Sequence, residues 1–191
     1  MAELTLAGKV IAVHRALRAE GVAHAFGGAL ALAYYAEPRA TADIDLNVFL
    51  PPDQHQLVAG VLTPLGVLAE ISDALVVRDG QARVWWGRTP LDLFYAYDPL
   101  HDAMRAAARP VPFGEDTIKI LSPEHLVVCK ALFARPKDWL DIEQVLALVP
   151  DLRLGELSRW MTELVGGDDP RSQRLAALLP ASAPHPEGGI G

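Results

Sequence analysis

Two aspartates, Asp43 and Asp45, stand one residue apart at the head of an apolar run, residues 44–50, which Pro51-Pro52 ends. Alternate residues of a strand face the same side, so both carboxylates share a face while Ile44 and Leu46 turn to the other. Holding two like charges side by side and taking them out of water is costly unless a cation compensates. Hard carboxylate oxygens in that arrangement suit Mg²⁺. Asp92 is a third acid inside an apolar stretch, Pro90-Leu91-Asp92-Leu93-Phe94. If that stretch pairs with residues 44–50, Asp92 joins the same face. Three acids can then hold two metal ions about 3.5–4 Å apart, one for the attacking and one for the leaving oxygen.

Upstream, a short apolar run at 22–26 meets Gly27-Gly28, and a helix is predicted over 29–36, closed by Pro38. Glycines allow a phosphate to approach the backbone closely, and the amides of a helix start favour an anion. A phosphate site and a metal site are thus one helix apart. Each feature alone is ordinary: Gly-Gly is usually a turn, Asp-x-Asp is common on surfaces, and an acid in an edge strand discourages aggregation. Their order is not ordinary. Strand, Gly-Gly, helix, Arg39-x-Thr41-x-Asp43-x-Asp45 on a strand, then Asp92 on a later strand, is the layout for transfer from a nucleoside triphosphate.

The rest of the chain frames this segment. Leu6, Val10, Val13 and Leu17 recur at helical spacing over 5–20, and Gly21 stops that helix. Asp53 is the expected cap of a helix over 54–62. Four strands are predicted next, at 67–71, 74–78, 81–86 and 91–97, with Asp79-Gly80 as a hairpin turn. A helix over 99–108 and a strand over 117–121 follow. Ser122-Pro123-Glu124 then opens a helix to about residue 134, and further helices are predicted over 137–149, 155–165 and 171–179. The expected organisation is an α+β core, residues 1–121, a helical C-terminal lobe, 122–180, and a flexible Pro- and Gly-rich tail, 181–191.

Composition narrows the partners. A formal net charge of −7 is not the footprint of a protein that coats DNA. No apolar run reaches the length of a membrane span, and residues 1–10 lack a signal-peptide core, so a cytoplasmic protein is expected. The single Cys129 allows neither an internal disulfide nor a cysteine-based zinc site; on its helix it reads as a small core residue. His24, His55, His101 and His125 show no metal-ligand spacing. Trp85-Trp86 must straddle a strand, one ring inward and one outward.

The glycine pair, the Asp-x-Asp and the later acid together resemble the nucleotidyltransferase superfamily. More narrowly, Gly27-Gly28-x-Leu30, Arg39-x-Thr41-x-Asp43-Ile44-Asp45 and the stretch from Ser122-Pro123-Glu124 through Lys130 and Arg135 to Asp141 resemble the AbiEii-type toxins and their MenT relatives, members of bacterial toxin–antitoxin pairs. The resemblance spans about residues 25–146. It implies a mixed β-sheet flanked by helices, metal on Asp43 and Asp45, Lys130 on the nucleoside triphosphate, and Asp141 at an active-site position. Gly27, Gly28, Arg39 and Thr41 fall in the nucleotide-binding region. One departure is Ala29: many members of the superfamily carry a hydroxyl residue in or just after the glycine pair, so phosphate contact here falls to backbone amides. Against these roles stand an ordinary solvated lysine at 130 and a surface acid at 141 pairing with Lys137 one turn away.

The resemblance implies an enzyme that moves a nucleotide from an NTP, with Mg²⁺, onto RNA, most simply the 3′ end of tRNA, and a cognate antitoxin as partner. Arg78, Arg83 and Arg88 would hold the RNA body. The rivals are a small-molecule nucleotidyltransferase acting on an aminoglycoside-type antibiotic, which the acidic net charge suits, and a non-catalytic member of the fold that only binds a partner.

Overall fold

The computed structural model describes residues 4–68 and 72–180; the predicted tail at 181–191 lies outside them. The chain opens with α1 (Leu6–Ala19), capped by the Thr5 hydroxyl, which accepts from the Gly8 amide at 3.1 Å. Val10, Val13 and Leu17 form its fully buried stripe. There follow β1 (His24–Phe26), α2 (Gly28–Leu32), β2 (Ile44–Val48), α3 (His55–Leu62), α4 (Asp73–Asp79), β3 (Gln81–Trp86), β4 (Thr89–Tyr95), α5 (Pro99–Ala107), β5 (Arg109–Phe113) and β6 (Asp116–Ile120). The remainder is helical: α6 (Pro123–Phe133), α7 (Pro136–Leu148), α8 (Leu154–Val165) and α9 (Pro170–Leu178).

The six strands form one mixed sheet in the order β3-β4-β2-β1-β6-β5. β2 runs parallel to β4 and β1 parallel to β6, while β1–β2, β3–β4 and β5–β6 are antiparallel. The central strands are short; β2 buries Ile44, Leu46 and Val48 on one face and carries Asp45 and Asn47 on the other. Helix α6 is buried almost all round, with Leu126, Val127, Val128 and Ala131 at 1% exposure or less. It packs against α2 on one side and α7, α8 and α9 on the other. One hydrophobic cluster runs from Val10 through the sheet to Leu175, crossing the boundary at 121/122 without a break.

Several expectations change. Residues 74–78 are helical, not a strand: Ser72-Asp73 supplies a helix start, and Ala-Leu-Val-Val-Arg lacks a period-2 alternation. Asp79-Gly80 is therefore that helix's end, with Gly80 left-handed at φ +64°, and not a hairpin. A Cβ at Gly80 would fall 2.3 Å from the Tyr97 ring. The actual hairpin turn is Gly87-Arg88, with Gly87 at φ +60°. Asp53 lies in a 3-10 turn, Pro52–Gln54, and α3 starts after Gln54 with no side-chain cap. β5 went unpredicted because Pro110 and Pro112 interrupt it. At the outer edge of a sheet, proline's missing N–H can face outward at no cost to the ladder. Of the strand expected at 67–71, Leu68 bridges to Trp85, and residues 69–71 lie outside the described part. The tryptophans straddle β3 as expected: Trp85 is exposed, and Trp86 packs against the core under the Lys9 ammonium.

Candidate active site

The parallel register of β2 and β4 places Asp45 directly beside Asp92. Same-face neighbours in a parallel ladder point the same way, so the two carboxylates share a face, with Asp43 one residue ahead of β2. The consequence shows in the charge balance. Burial, then the neighbouring Asp43 and Asp92, pushes Asp45 up to about 6, while Lys130 and Arg135 pull it back. Asp43 goes the other way. Partial burial would raise it, but the Thr41 hydroxyl donates to its carboxylate, and Lys137 and Arg39 stand near, so it is held below the usual carboxylate range. Thr41 thus acts on Asp43.

Gly28 explains the glycine pair more sharply than phosphate approach alone. It sits at φ +52°, and a Cβ there would lie 1.7 Å from Asp45 Oδ2. The carboxylate of Asp45 occupies the space a side chain would need. Gly27 donates its amide to the Asp45 carbonyl at 2.9 Å, locking the turn onto β2. Helix α2 is only five residues long, so its dipole is weak, and its first-turn amides are the donors free for a phosphate.

On the other wall stands a buried charge web. Lys130 is 4% exposed and donates to Asp141 Oδ2 at 2.6 Å; the Arg39 guanidinium reaches the same oxygen at 3.1 and 3.3 Å. Asp141 does not pair with Lys137, so neither the solvated lysine nor the surface acid fits the geometry. Asp138, fully buried, accepts from the Arg135 backbone amide and guanidinium and closes a capping box at the start of α7. Cys129 packs against the core, as expected, and also lines the same cleft as Lys130.

Sequence reasoning assigned Arg83 to an RNA body and missed its partner, Asp92. In the antiparallel register of β3 and β4 Arg83 lies opposite Asp92, and its guanidinium grips both carboxylate oxygens at 2.6 and 2.7 Å. Arg78 likewise pairs with Asp79 at 2.5 Å. Neither is left free to hold an RNA body. With Thr41 on Asp43 and Arg83 on Asp92, no group of three His, Cys, Asp or Glu side chains among the described residues is posed to grip a metal ion. The donors nonetheless fit a hard divalent cation. Three carboxylates crowd one face, one of them raised by burial and then by the other two, and the absence of a side chain at Gly28 leaves room for it.

Around the acids opens a cleft of about 450 Å³, which Gly27, Gly28, Arg39, Lys130 and Lys137 border on one side and Asp79, Tyr97 and Asp98 also line. That volume lies in the range of small-ligand sites. No helix among the described residues is long and apolar enough to cross a membrane.

No known family's sequence pattern matches the chain, and no curated protein is similar enough in sequence to match it. Solved structures do. The antibiotic-resistance factor ANT(2'')-Ia superimposes with a TM-score of 0.54 at 16% identity, over 90% of this chain and 89% of that one. A nucleotidyltransferase-like protein from Paracoccidioides brasiliensis gives 0.52 at 18% identity, over 88% and 91%. The lincosamide antibiotic adenylyltransferase LnuA, lincomycin-bound, gives 0.52 at 12%, over 78% and 100%. The architecture is therefore the nucleotidyltransferase fold: a mixed sheet flanked by helices, followed by helices.

Proposed function

We propose that the chain is a Mg²⁺-dependent nucleotidyltransferase that moves a nucleoside monophosphate from an NTP to an acceptor hydroxyl, releasing pyrophosphate. The observation that supports it most is the convergence of Asp43, Asp45 and Asp92 over Gly28, opposite Lys130 and Arg39. Asp43, Asp45 and Asp92 would hold the metal, which supplies charge neutralisation on the phosphates and on the attacking oxygen. Lys130 gives a point charge to the triphosphate, and Arg39 a second cation. Asp141, bonded to both, orients them. The α2 amides take the phosphate contact that a hydroxyl at position 29 would otherwise share. Arg83 grips both oxygens of Asp92 and holds that carboxylate in place beside Asp45.

For the acceptor, the finer proposal is an RNA 3′ end, most simply that of tRNA, in a toxin neutralised by a cognate antitoxin. Its support is the stretch from Ser122 to Asp141, whose Lys130 lines the cleft and is bonded to the buried Asp141. A second reading, transfer to a small cationic antibiotic, has its own support. Arg78 and Arg83 are consumed in ion pairs, while Asp98 lines the cleft.

The test is one assay. Purified protein, Mg²⁺ and labelled NTPs are offered bulk tRNA and a panel of aminoglycosides, with Asp43→Ala as control. Label on tRNA that Asp43→Ala abolishes is the expected result, and it should fall steeply with added salt. Label on an antibiotic alone would establish the second reading. No label on any acceptor would overturn the catalytic proposal.

A further inference from the structure

At the opposite end of β1 from Gly27-Gly28, a second cleft of about 730 Å³ opens between α1, α5 and β6. Arg18, Arg105 and Lys119 reach it from those three elements. None of the three takes a carboxylate partner among the described residues; of the nearby acids, Asp116 is engaged by Arg15 at 2.9 Å. Asp102 is the one acid in the lining, so the rim is net positive in a protein whose overall charge is −7. Val22 and Phe49 supply an apolar floor.

A histidine pair forms part of the wall. His24 Nδ1 lies 2.7 Å from the Val22 carbonyl, which can only accept, so that nitrogen carries the proton. Its Nε2 is then the acceptor, and at 3.0 Å it must receive a proton from His14 Nδ1. Burial, the largest influence on each ring, disfavours the charged form of both, so the chain of tautomers is fixed. It ends on His14 Nε2 as a bare lone pair. His14 is 6% exposed, and that nitrogen has no partner. A buried acceptor left unsatisfied is destabilising, and a ligand donor removes that cost.

We infer that this cleft is a binding site for a small hydroxyl-bearing phosphate ester, a sugar phosphate or a nucleotide. The phosphate lies among Arg18, Arg105 and Lys119, and a hydroxyl donates to His14 Nε2. The three cations converge on a concave site of single-ligand size instead of being strung along a surface, which favours a small molecule over a polynucleotide. The site is separate from the aspartates, so its ligand binds whether or not a nucleotide fills the other cleft.

Imidazole ¹H–¹⁵N spectra of the full chain at pH 7.5, with His14→Gln to assign the His14 signals, provide the readout. Ribose 5-phosphate and AMP are the probes, and sulfate and a 12-nucleotide single-stranded RNA the comparisons. Ribose 5-phosphate should shift the His14 Nε2 resonance saturably, and AMP doing so more strongly would identify the nucleotide as the source. The Arg105→Ala/Lys119→Ala variant, altered only at exposed side chains, should melt like the wild type and bind at least tenfold more weakly. Unmoved His14 signals, or unchanged affinity in the double variant, would overturn the site. Sulfate as effective as ribose 5-phosphate would overturn the hydroxyl contact. The RNA shifting His14 at lower concentration than either monomer would make the cleft a polynucleotide groove and overturn the small-ligand inference.

Discussion

Asp45 carries the sharpest consequence at the scale of the residue. Its folded-state value of about 6 lies above the unfolded value of 3.8. Between these the folded state binds more protons, so the metal-free protein loses stability as pH rises from about 4 to about 6 and stays lower beyond. Two units correspond to roughly 3 kcal/mol. Asp45→Asn should therefore raise the metal-free melting temperature at pH 7.5 and lose that advantage at pH 4, as thermal melts across pH will show. Lys130 behaves in the opposite way. Lys130→Ala leaves Asp141 buried with Arg39 as its remaining strong partner, so the variant should lose about 3 kcal/mol of stability as well as nucleotide affinity. Denaturant titration and nucleotide binding, measured separately, resolve the two losses. Gly28→Ala places a methyl on the Asp45 carboxylate at a left-handed φ, and should abolish transfer in a chain that still folds; full activity in that variant would refute the role given to the glycine.

Elements show where sequence reading succeeds and where it fails. Asp43-Ile44-Asp45 was legible because strand alternation is local: two residues suffice to fix a face. Asp92 was legible as an acid in an apolar strand, but its union with Asp45 depends on β2 and β4 being neighbours, which only the sheet order settles. The partner of Arg83 was invisible for the same reason. Nothing near it in sequence announces a cross-strand carboxylate nine positions on. Helix α4 was misread because Val76 and Val77 favour strands, whereas the left-handed Gly80, donating its amide to the Val76 carbonyl, ends a helix there. The β3–β4 pair also yields an expectation. Arg83→Gln withdraws the cation from Asp92 and leaves it facing Asp45. Mg²⁺ affinity should rise and metal-free stability fall, and calorimetry with thermal melts in EDTA will check both. Unchanged Mg²⁺ affinity would mean that Asp92 does not compete between arginine and metal.

At the scale of the whole molecule, the described residues share one core. The cluster from Val10 to Leu175 crosses the sequence boundary at residue 121, and α6 is buried along most of its length. The expected core and lobe differ in composition, but burial joins them. Denaturant unfolding should accordingly follow a single transition by fluorescence and by circular dichroism, and residues 1–121 expressed alone should not fold. Two separate transitions would restore an independent lobe.

The span of the Asp141 web sets an order in time. Arg39 waits for a partner 102 positions downstream, and Lys130 for one 11 positions on. A nascent chain on the ribosome has all three aspartates outside the exit tunnel well before Asp141 emerges. Until then Arg39 and Lys130 have no anchor. On the proposed function, catalytic competence therefore arrives only once Asp141 has emerged, and a message broken ahead of that codon yields an inert polypeptide.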